Sequence, residues 1–539
     1  MKTVLPFFLF VLAATVSFSQ TTACAEDRKL YYVFLEQKSS AESIFTAFDA
    51  IALERRSRHG APLSDWYDLS LDSTTTAELA NTGAHVRYGL RWFNAVSVEA
   101  SDEEIRAIGK LANVNRIEAI AGRFYTAGNS GDGDSLLFGQ TRAAVRKSLE
   151  LDTFAQARLS GKGVRIAVFD AGFDDADNHE SFAVLQTRNA IAGMKDFYGG
   201  KSDPFYHSKH GTNVLSCIAG WYQGKPIGAA PGAEFLLART ESNFFEKLIE
   251  EDHWLAAMEW AEANGADIIS SSLGYTKPRY EYADMDGNTT MVTMAAQIAT
   301  RKGVLVVNAA GNDGDRKFKY ISAPADADSV LTVGASFPLL KARMPFSSVG
   351  PNYSGDLKPN VVAPGSVLAA KAGGDFEIVN GTSFAAPLIA GFAACLMEKY
   401  PEETNMEILE RIERSAHLYP FFDYAMGYGV PDARRALGRM DSSEASFQVL
   451  MRNDSIVFQF TDTVTATDSV AAAKGRFLHW NFSGPDGVLT GYGMEYVPAG
   501  ATAWAVSAGF PGHSVFRIWF EGTIWESEGG FSGIRPKGY

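Results

Sequence analysis

The sequence predicts an α/β protein built on a mainly parallel sheet, with a small α+β unit ahead of it and a β-rich unit behind. Three observations predict it. Short runs rich in Val, Ile and Leu at residues 164–169, 235–238, 267–271, 304–308 and 330–333 read as strands buried on both faces. Segments of helical length and composition at 246–263 and 291–301 fall between them, as crossovers between parallel strands require. The alternation begins after a Gly/Asp/Ser-rich stretch at 126–134 and stops near 439–445, where short strands and turn sequences take over.

From the N-terminus, Lys2 is followed by an apolar run over 4–16 and then by Ser17-Phe18-Ser19-Gln20. A basic start, a short apolar core and small residues before a cut match a signal peptide over 1–19. The run is well short of the ~20 residues that span a bilayer. Cys24 leaves lipid attachment as a second option, although Thr21-Thr22-Ala23 lacks the leucine such sites usually carry. No later apolar stretch is long enough for a transmembrane segment. The expectation is an exported protein, secreted, periplasmic or at the cell surface.

Residues 28–125 read as the small α+β unit. The runs at 30–35, 92–98 and 114–120 are strand-like, and Ser101-x-x-Glu104 is a capping box opening a short helix with Ile105, Ile108 and Leu111 inward. A linker follows at 126–139, then the α/β region at 140–438. The last unit, 446–539, holds strands at 447–450, 456–460 and 515–519 between Ser-Gly-Pro-Asp-Gly and Gly-Phe-Pro-Gly turns. Its Trp480, Trp504, Trp519 and Trp525 read as core more readily than as a ligand platform. Stabilisation, substrate binding and a part in secretion all remain open for it.

Composition excludes several classes. With 49 Lys+Arg against 63 Asp+Glu, a net charge of −14 argues against nucleic acid as a partner. Cys24, Cys217 and Cys395 are too few and too scattered to staple a chain of 539 residues. Cys217 and Cys395 read as small buried hydrophobes, with a bond between them as the alternative.

Three segments of the α/β region carry chemistry together. Val168-Phe169-Asp170-Ala171-Gly172 ends a strand with a carboxylate, at the edge where open α/β sheets place their sites. Alone, it is equally a turn residue. His210 opens a helix of small residues, His210-Gly211-Thr212-Asn213, a context that His179, His207 and His253 lack. Ser383, in Asn380-Gly381-Thr382-Ser383-Phe384-Ala385-Ala386-Pro387, starts a helix after a strand, where free N–H groups and the helix dipole favour an oxyanion. Its plainer reading is a helix cap. A hydroxyl nucleophile needs a base for its proton and a carboxylate to hold that base, and Asp170, His210 and Ser383 supply those types in the order Asp, His, Ser.

That order and those flanks resemble the subtilisin-like serine peptidases (subtilases, peptidase family S8), of the secreted bacterial type with a prodomain. The resemblance covers 140–438 and implies a subtilisin-like three-layer fold. It implies Asp170, His210 and Ser383 as the catalytic triad, and Asn312, in Ala309-Ala310-Gly311-Asn312-Asp313-Gly314, as the oxyanion-hole donor beside the Ser383 N–H. An Asn-Asp-Gly turn explains that last segment without catalysis. By the same resemblance Ser272, Leu273 and Gly274 form the edge to which a peptide adds as a strand, and Ala309, Ala310 and Gly311 line the other side of the first specificity pocket. Ser322-Ala323-Pro324 falls near that pocket's floor.

The implied activity is endoproteolysis through an acyl-enzyme, with protein or peptide substrates and no cofactor required for the chemistry. Residues 28–125 resemble the family's prodomain, including Phe93-Asn94-Ala95-Val96-Ser97-Val98. The expectation is a zymogen whose own prodomain is its intramolecular inhibitor, cut within 121–138. Asp284, Asp286 and Asn288 alternate as the oxygen ligands of calcium loops do, with Gly287 for a turn. A structural calcium ion and a polar turn before a helix both explain them. The alternative function is a noncatalytic peptide-binding or adhesion protein on the same scaffold, against which the complete set Asp170, His210, Asn312 and Ser383 argues.

Overall fold

The computed structural model describes residues 28–39, 48–120, 129–131, 135–241, 250–276, 279–439, 445–452, 455–461, 476–484, 486–498, 501–507 and 515–527. The sequence-predicted signal peptide, Cys24 and residues 126–128 and 132–134 of the linker lie outside the described residues.

The N-terminal unit has strands β1 (Lys29–Leu35), β2 (His85–Leu90), β3 (Ala95–Ala100) and β4 (Val114–Ala119) and helices α1 (Ala50–Arg58), α2 (Ser73–Asn81) and α3 (Asp102–Ile108). The sheet is antiparallel in the order β2-β3-β1-β4. Ser101 and Glu104 form the expected capping box on α3. The expected single strand at 92–98 is instead a 3-10 turn, Arg91–Phe93, then left-handed Asn94 (φ 48°), then β3. A period of two divides the sheet's residues between two cores. Val33, Leu35, Val96 and Val98 face the unit's own α2 and α3, whereas Tyr32, Phe34 and Ala95 join Trp92 against the larger domain.

That domain is a seven-stranded parallel sheet of β5 (Arg165–Asp170), β6 (Ile191–Asp196), β7 (Glu234–Arg239), β8 (Ile268–Ser271), β9 (Leu305–Ala309), β10 (Leu331–Ser336) and β11 (Val361–Pro364). Their order is β11-β10-β9-β8-β5-β7-β6. Alternate residues again serve opposite layers. Ile166, Val168, Phe235, Leu237 and Val307 share a core with α4 (Ser135–Ser148), α5 (His210–Ala219) and α8 (Thr382–Lys399). Ala167, Phe169, Leu236, Ala238 and Val306 pack with α6 (Glu250–Ala263) and α7 (Met291–Arg301). The sequence reading missed β6 and β11. The edge strand β6, Ile-Ala-Gly-Met-Lys-Asp, alternates half-exposed with exposed residues and has no buried apolar run.

The N-terminal unit lies on α6 and α7, and the contact is charged as well as apolar. Arg55 and Arg56 of α1 and Glu262 of α6 have wholly buried side chains; Arg55 pairs with Glu262, and Arg56 with Glu262 (2.8 Å) and Asp68 (2.7 Å). Lys302 reaches Asp68 at 2.9 Å, Arg91 reaches Glu259 at 3.0 Å, and Arg87 reaches Asp252 at 2.9 Å.

Beyond residue 445, Phe447–Arg452, Ser455–Phe460 and Ala503–Ser507 form one sheet, and Arg476–Ser483, Leu489–Val497, Val515–Phe520 and Thr523–Ser527 another. Phe458, Leu478, Phe516, Ile518 and Trp525 make their shared core, with Trp480 and Trp504 half-buried against it. Trp519 points the other way, into the core of the parallel-sheet domain. Cys217 and Cys395 are buried free thiols, so the alternative of a disulfide between them does not hold.

Candidate active site

The carboxyl ends of β5, β8 and β9 converge with the start of α8 on one cleft. Asp170 ends β5 with no exposed surface. Its Oδ1 lies 2.8 Å and its Oδ2 3.0 Å from His210 Nδ1, and Oδ1 also accepts from the Ala171 N–H at 2.8 Å. His210 opens α5, held close to β5 because residue 211 is glycine. A Cβ there would stand 2.3 Å from the Gly172 carbonyl oxygen. Burial works against the imidazolium, but the charge and hydrogen bond of Asp170 outweigh it, and the pKa of His210 is raised above the ordinary 6.5.

Ser383 is the second residue of α8, 6% exposed, followed by Phe384, whose ring centroid lies 5.3 Å from that of His210. Two bonds lock Ser383 against Ser272: the Ser272 hydroxyl donates to the Ser383 carbonyl (2.8 Å), and the Ser383 hydroxyl donates to the Ser272 carbonyl (3.3 Å). Asn312 Oδ1 accepts from both the N–H and the hydroxyl of Thr382, each at 3.0 Å. Two donors on one atom identify it as the oxygen, which turns the amide NH2 the other way.

Ser272, Leu273 and Gly274 continue β8 along the cleft, and Ala309, Gly311, Asn312 and Ser322 form the facing wall. Asn308 ties the two walls, its Nδ2 donating to the Leu273 and Ala309 carbonyls at 2.9 Å each. Gly311 has φ +110°, and a Cβ there would stand 2.9 Å from Ser348 Oγ. Ala310 sits behind the wall, its N–H donating to Val333 and its carbonyl accepting from Ser322.

Sequence reasoning missed Asn308, Glu241, Glu250, Tyr275 and Thr276, the last four lining the same cleft. A buried asparagine in an apolar strand was the one signal available. His179 and His253 are engaged elsewhere. His179 bonds the Asp375 carbonyl and the Ser181 N–H, and His253 bonds the Thr240 carbonyl and Arg87.

Asp284, Asp286 and Asn288 lie in the segment that leads into α7. Asp284 accepts from the Glu281 N–H, and Asp286 accepts from the Asn288 and Thr289 N–H groups and the Thr289 hydroxyl. Among the described residues no group of three or more His, Cys, Asp or Glu side chains is placed to hold a metal ion. Thr290 caps α7.

Comparison with known proteins agrees with the fold. Residues 161–429 match the family model described as the subtilase family, and 30–130 match that of the peptidase S8 propeptide domain of Bacteroidota. Subtilisin from Bacillus pumilus is 31% identical over 277 residues, 50% of this chain and 89% of that protein. Subtilisin DY from Bacillus licheniformis is 30% identical over 287 residues, 52% of this chain and 93% of that protein. Subtilisin NAT from Bacillus subtilis subsp. natto is 32% identical over 277 residues, and the chain spans 64% of its length. The parallel sheet, the α/β layers and these matches agree: the chain belongs to the subtilase family and carries an S8 propeptide domain ahead of the catalytic fold.

Proposed function

We propose that this chain is an exported serine endopeptidase, made as a zymogen, which hydrolyses peptide bonds with Asp170, His210 and Ser383. The observation that carries the reading is the contact of Asp170 with His210 Nδ1 beside a cleft lined by Ser383 and Asn312. With Nδ1–H donated to the carboxylate, the neutral ring keeps its lone pair on Nε2, the nitrogen a base requires. The Ser383 hydroxyl rotates off the Ser272 carbonyl toward Nε2, gives up its proton to His210, and Oγ attacks the substrate carbonyl. The Asn312 NH2 and the Ser383 N–H hold the resulting oxyanion. His210 passes the proton to the leaving amine, and water then releases the acyl group by the same steps reversed.

The substrate adds as a strand along residues 272–274, with residues 309–311 beside the side chain that precedes the bond. Export rests on the signal-peptide pattern of 1–19, and the zymogen on the propeptide match at 30–130. A fluorophosphonate probe tests the nucleophile. Peptide mapping should find the label on Ser383 and lose it in His210→Ala; a label elsewhere, or none on folded wild type, contradicts the reading.

A further inference from the structure

The cleft contains a pair of acids that the proposed chemistry does not use. Glu241 follows β7 and Glu250 opens α6, and both line the cleft together with Tyr275 and Thr276. They are 5% and 3% exposed. Glu241 Oε1 is buried with no hydrogen-bond partner among the described residues. Burial, then the charges of Glu250 and Asp170, raise the Glu241 carboxyl well above its ordinary pKa. Burial, then the charges of Glu241, Glu250 and Glu251, raise the Tyr275 hydroxyl well above its ordinary pKa.

Among the described residues, three arginines of the surrounding elements have other partners. Arg279 pairs with Glu251 (2.8 Å) and Arg87 with Asp252 (2.9 Å). Arg239 donates to the Ala171 carbonyl and to Asp196. A buried carboxylate oxygen without a donor is costly, and it attracts any cation that can reach it. Glu241 is among the residues that line the substrate cleft.

We infer that Glu241, with Glu250 beside it, is a specificity-determining residue that takes the cationic side chain, Arg or Lys, of a substrate residue upstream of the scissile bond. The inference rests on the protease reading above. The position follows from the order of residues along the cleft. Ser272, Leu273 and Gly274 are the proposed docking strand, and Tyr275 and Thr276 continue it. The residue immediately before the bond faces the wall formed by Ala309, Gly311 and Ser322. The acids line the cleft close enough to Tyr275 to act on its hydroxyl, and so serve a residue further upstream, from the second to the fourth before the bond. The chain itself carries such a cation, Arg123, within the 121–138 window in which self-cleavage is expected.

The test uses the self-processed enzyme and fluorogenic peptides that present arginine, or its uncharged near-isostere citrulline, at each of the three upstream positions in turn. Active enzyme is counted by fluorophosphonate titration. At one position arginine should exceed citrulline in kcat/KM by about tenfold or more, the scale of one hydrogen bond between charged groups. Glu241→Gln should bring that ratio close to one. Equal rates for arginine and citrulline at all three positions overturn the inference, as does a preference that survives in Glu241→Gln. If the variant yields no titratable enzyme, the wild-type comparison decides alone. Wild type without a titratable serine overturns the protease reading and the subsite with it, whereas an active enzyme blind to the charge overturns the subsite only.

Discussion

His210 is caught between two opposed influences, and its titration is the most sensitive report on the site. Burial lowers the pKa and Asp170 raises it further, so that it ends above 6.5. A general base must be neutral, so kcat/KM should fall as pH drops through this raised value. Asp170→Asn removes the charge and leaves burial in command. The acid limb should then move to lower pH while kcat drops by about 10⁴. An acid limb that stays in place in the variant contradicts the pairing. Asn312→Ala should lower kcat by about 10²–10³ with little change in KM, measured on one peptide substrate. Unchanged kcat would remove Asn312 from the oxyanion hole.

At this scale the sequence was readable where chemistry demands particular residue types in a particular context. Asp170 at a strand end, His210 before glycine and Ser383 at a helix start each had a physical reason to be noticed. Glu241 had none, because a glutamate among polar residues signals nothing until its burial is known. Asp284, Asp286 and Asn288 alternate in a way that suits both a calcium loop and the internal bonds of one turn.

Among the elements, α6 and α7 carry most of what separates precursor from mature enzyme. Glu262 accepts from two wholly buried arginines of α1. Removing one partner of such a cluster typically costs about 3–5 kcal/mol, because the other charges stay buried and unpaired. Glu262→Ala, made in the Ser383→Ala precursor to prevent self-cleavage, should lose that much stability in urea unfolding. A change below about 1 kcal/mol would mean that the cluster is solvated and adds little. Five strands of the parallel sheet were legible as apolar runs buried on both faces, whereas β11, only four residues long and ending in proline, was missed although it is buried. Edge strand β6 was not legible, having only half a core to face, and neither were α1 and α2, whose polar sequences become helices by capping and by docking on neighbours.

Over the whole molecule, three units share surfaces that the sequence could not reveal. The β-rich unit buries Trp519 in the core of the parallel-sheet domain, its ring 5.5 Å from those of His417 and His479. Asn481 donates to the Phe422 carbonyl across the same junction at 2.7 Å. Ending the chain after residue 439 should therefore lower the calorimetric Tm of the parallel-sheet domain by about 5 °C, the equivalent of one large buried side chain. An unchanged Tm would show the junction to be incidental. Turn signals made three of this unit's seven described strands visible, but no pattern in one sequence says which tryptophan faces outward to a neighbour.

The central claim is that one chain contains both a serine nucleophile and the prodomain that it removes. Intact mass and N-terminal sequencing of wild type and Ser383→Ala, expressed side by side with casein hydrolysis assayed in parallel, tests both parts. Wild type should begin within or beyond residues 121–138 and digest casein, while the variant keeps the residues of β1 and is inert. Identical processing of the two chains, with casein untouched by either, would contradict the account.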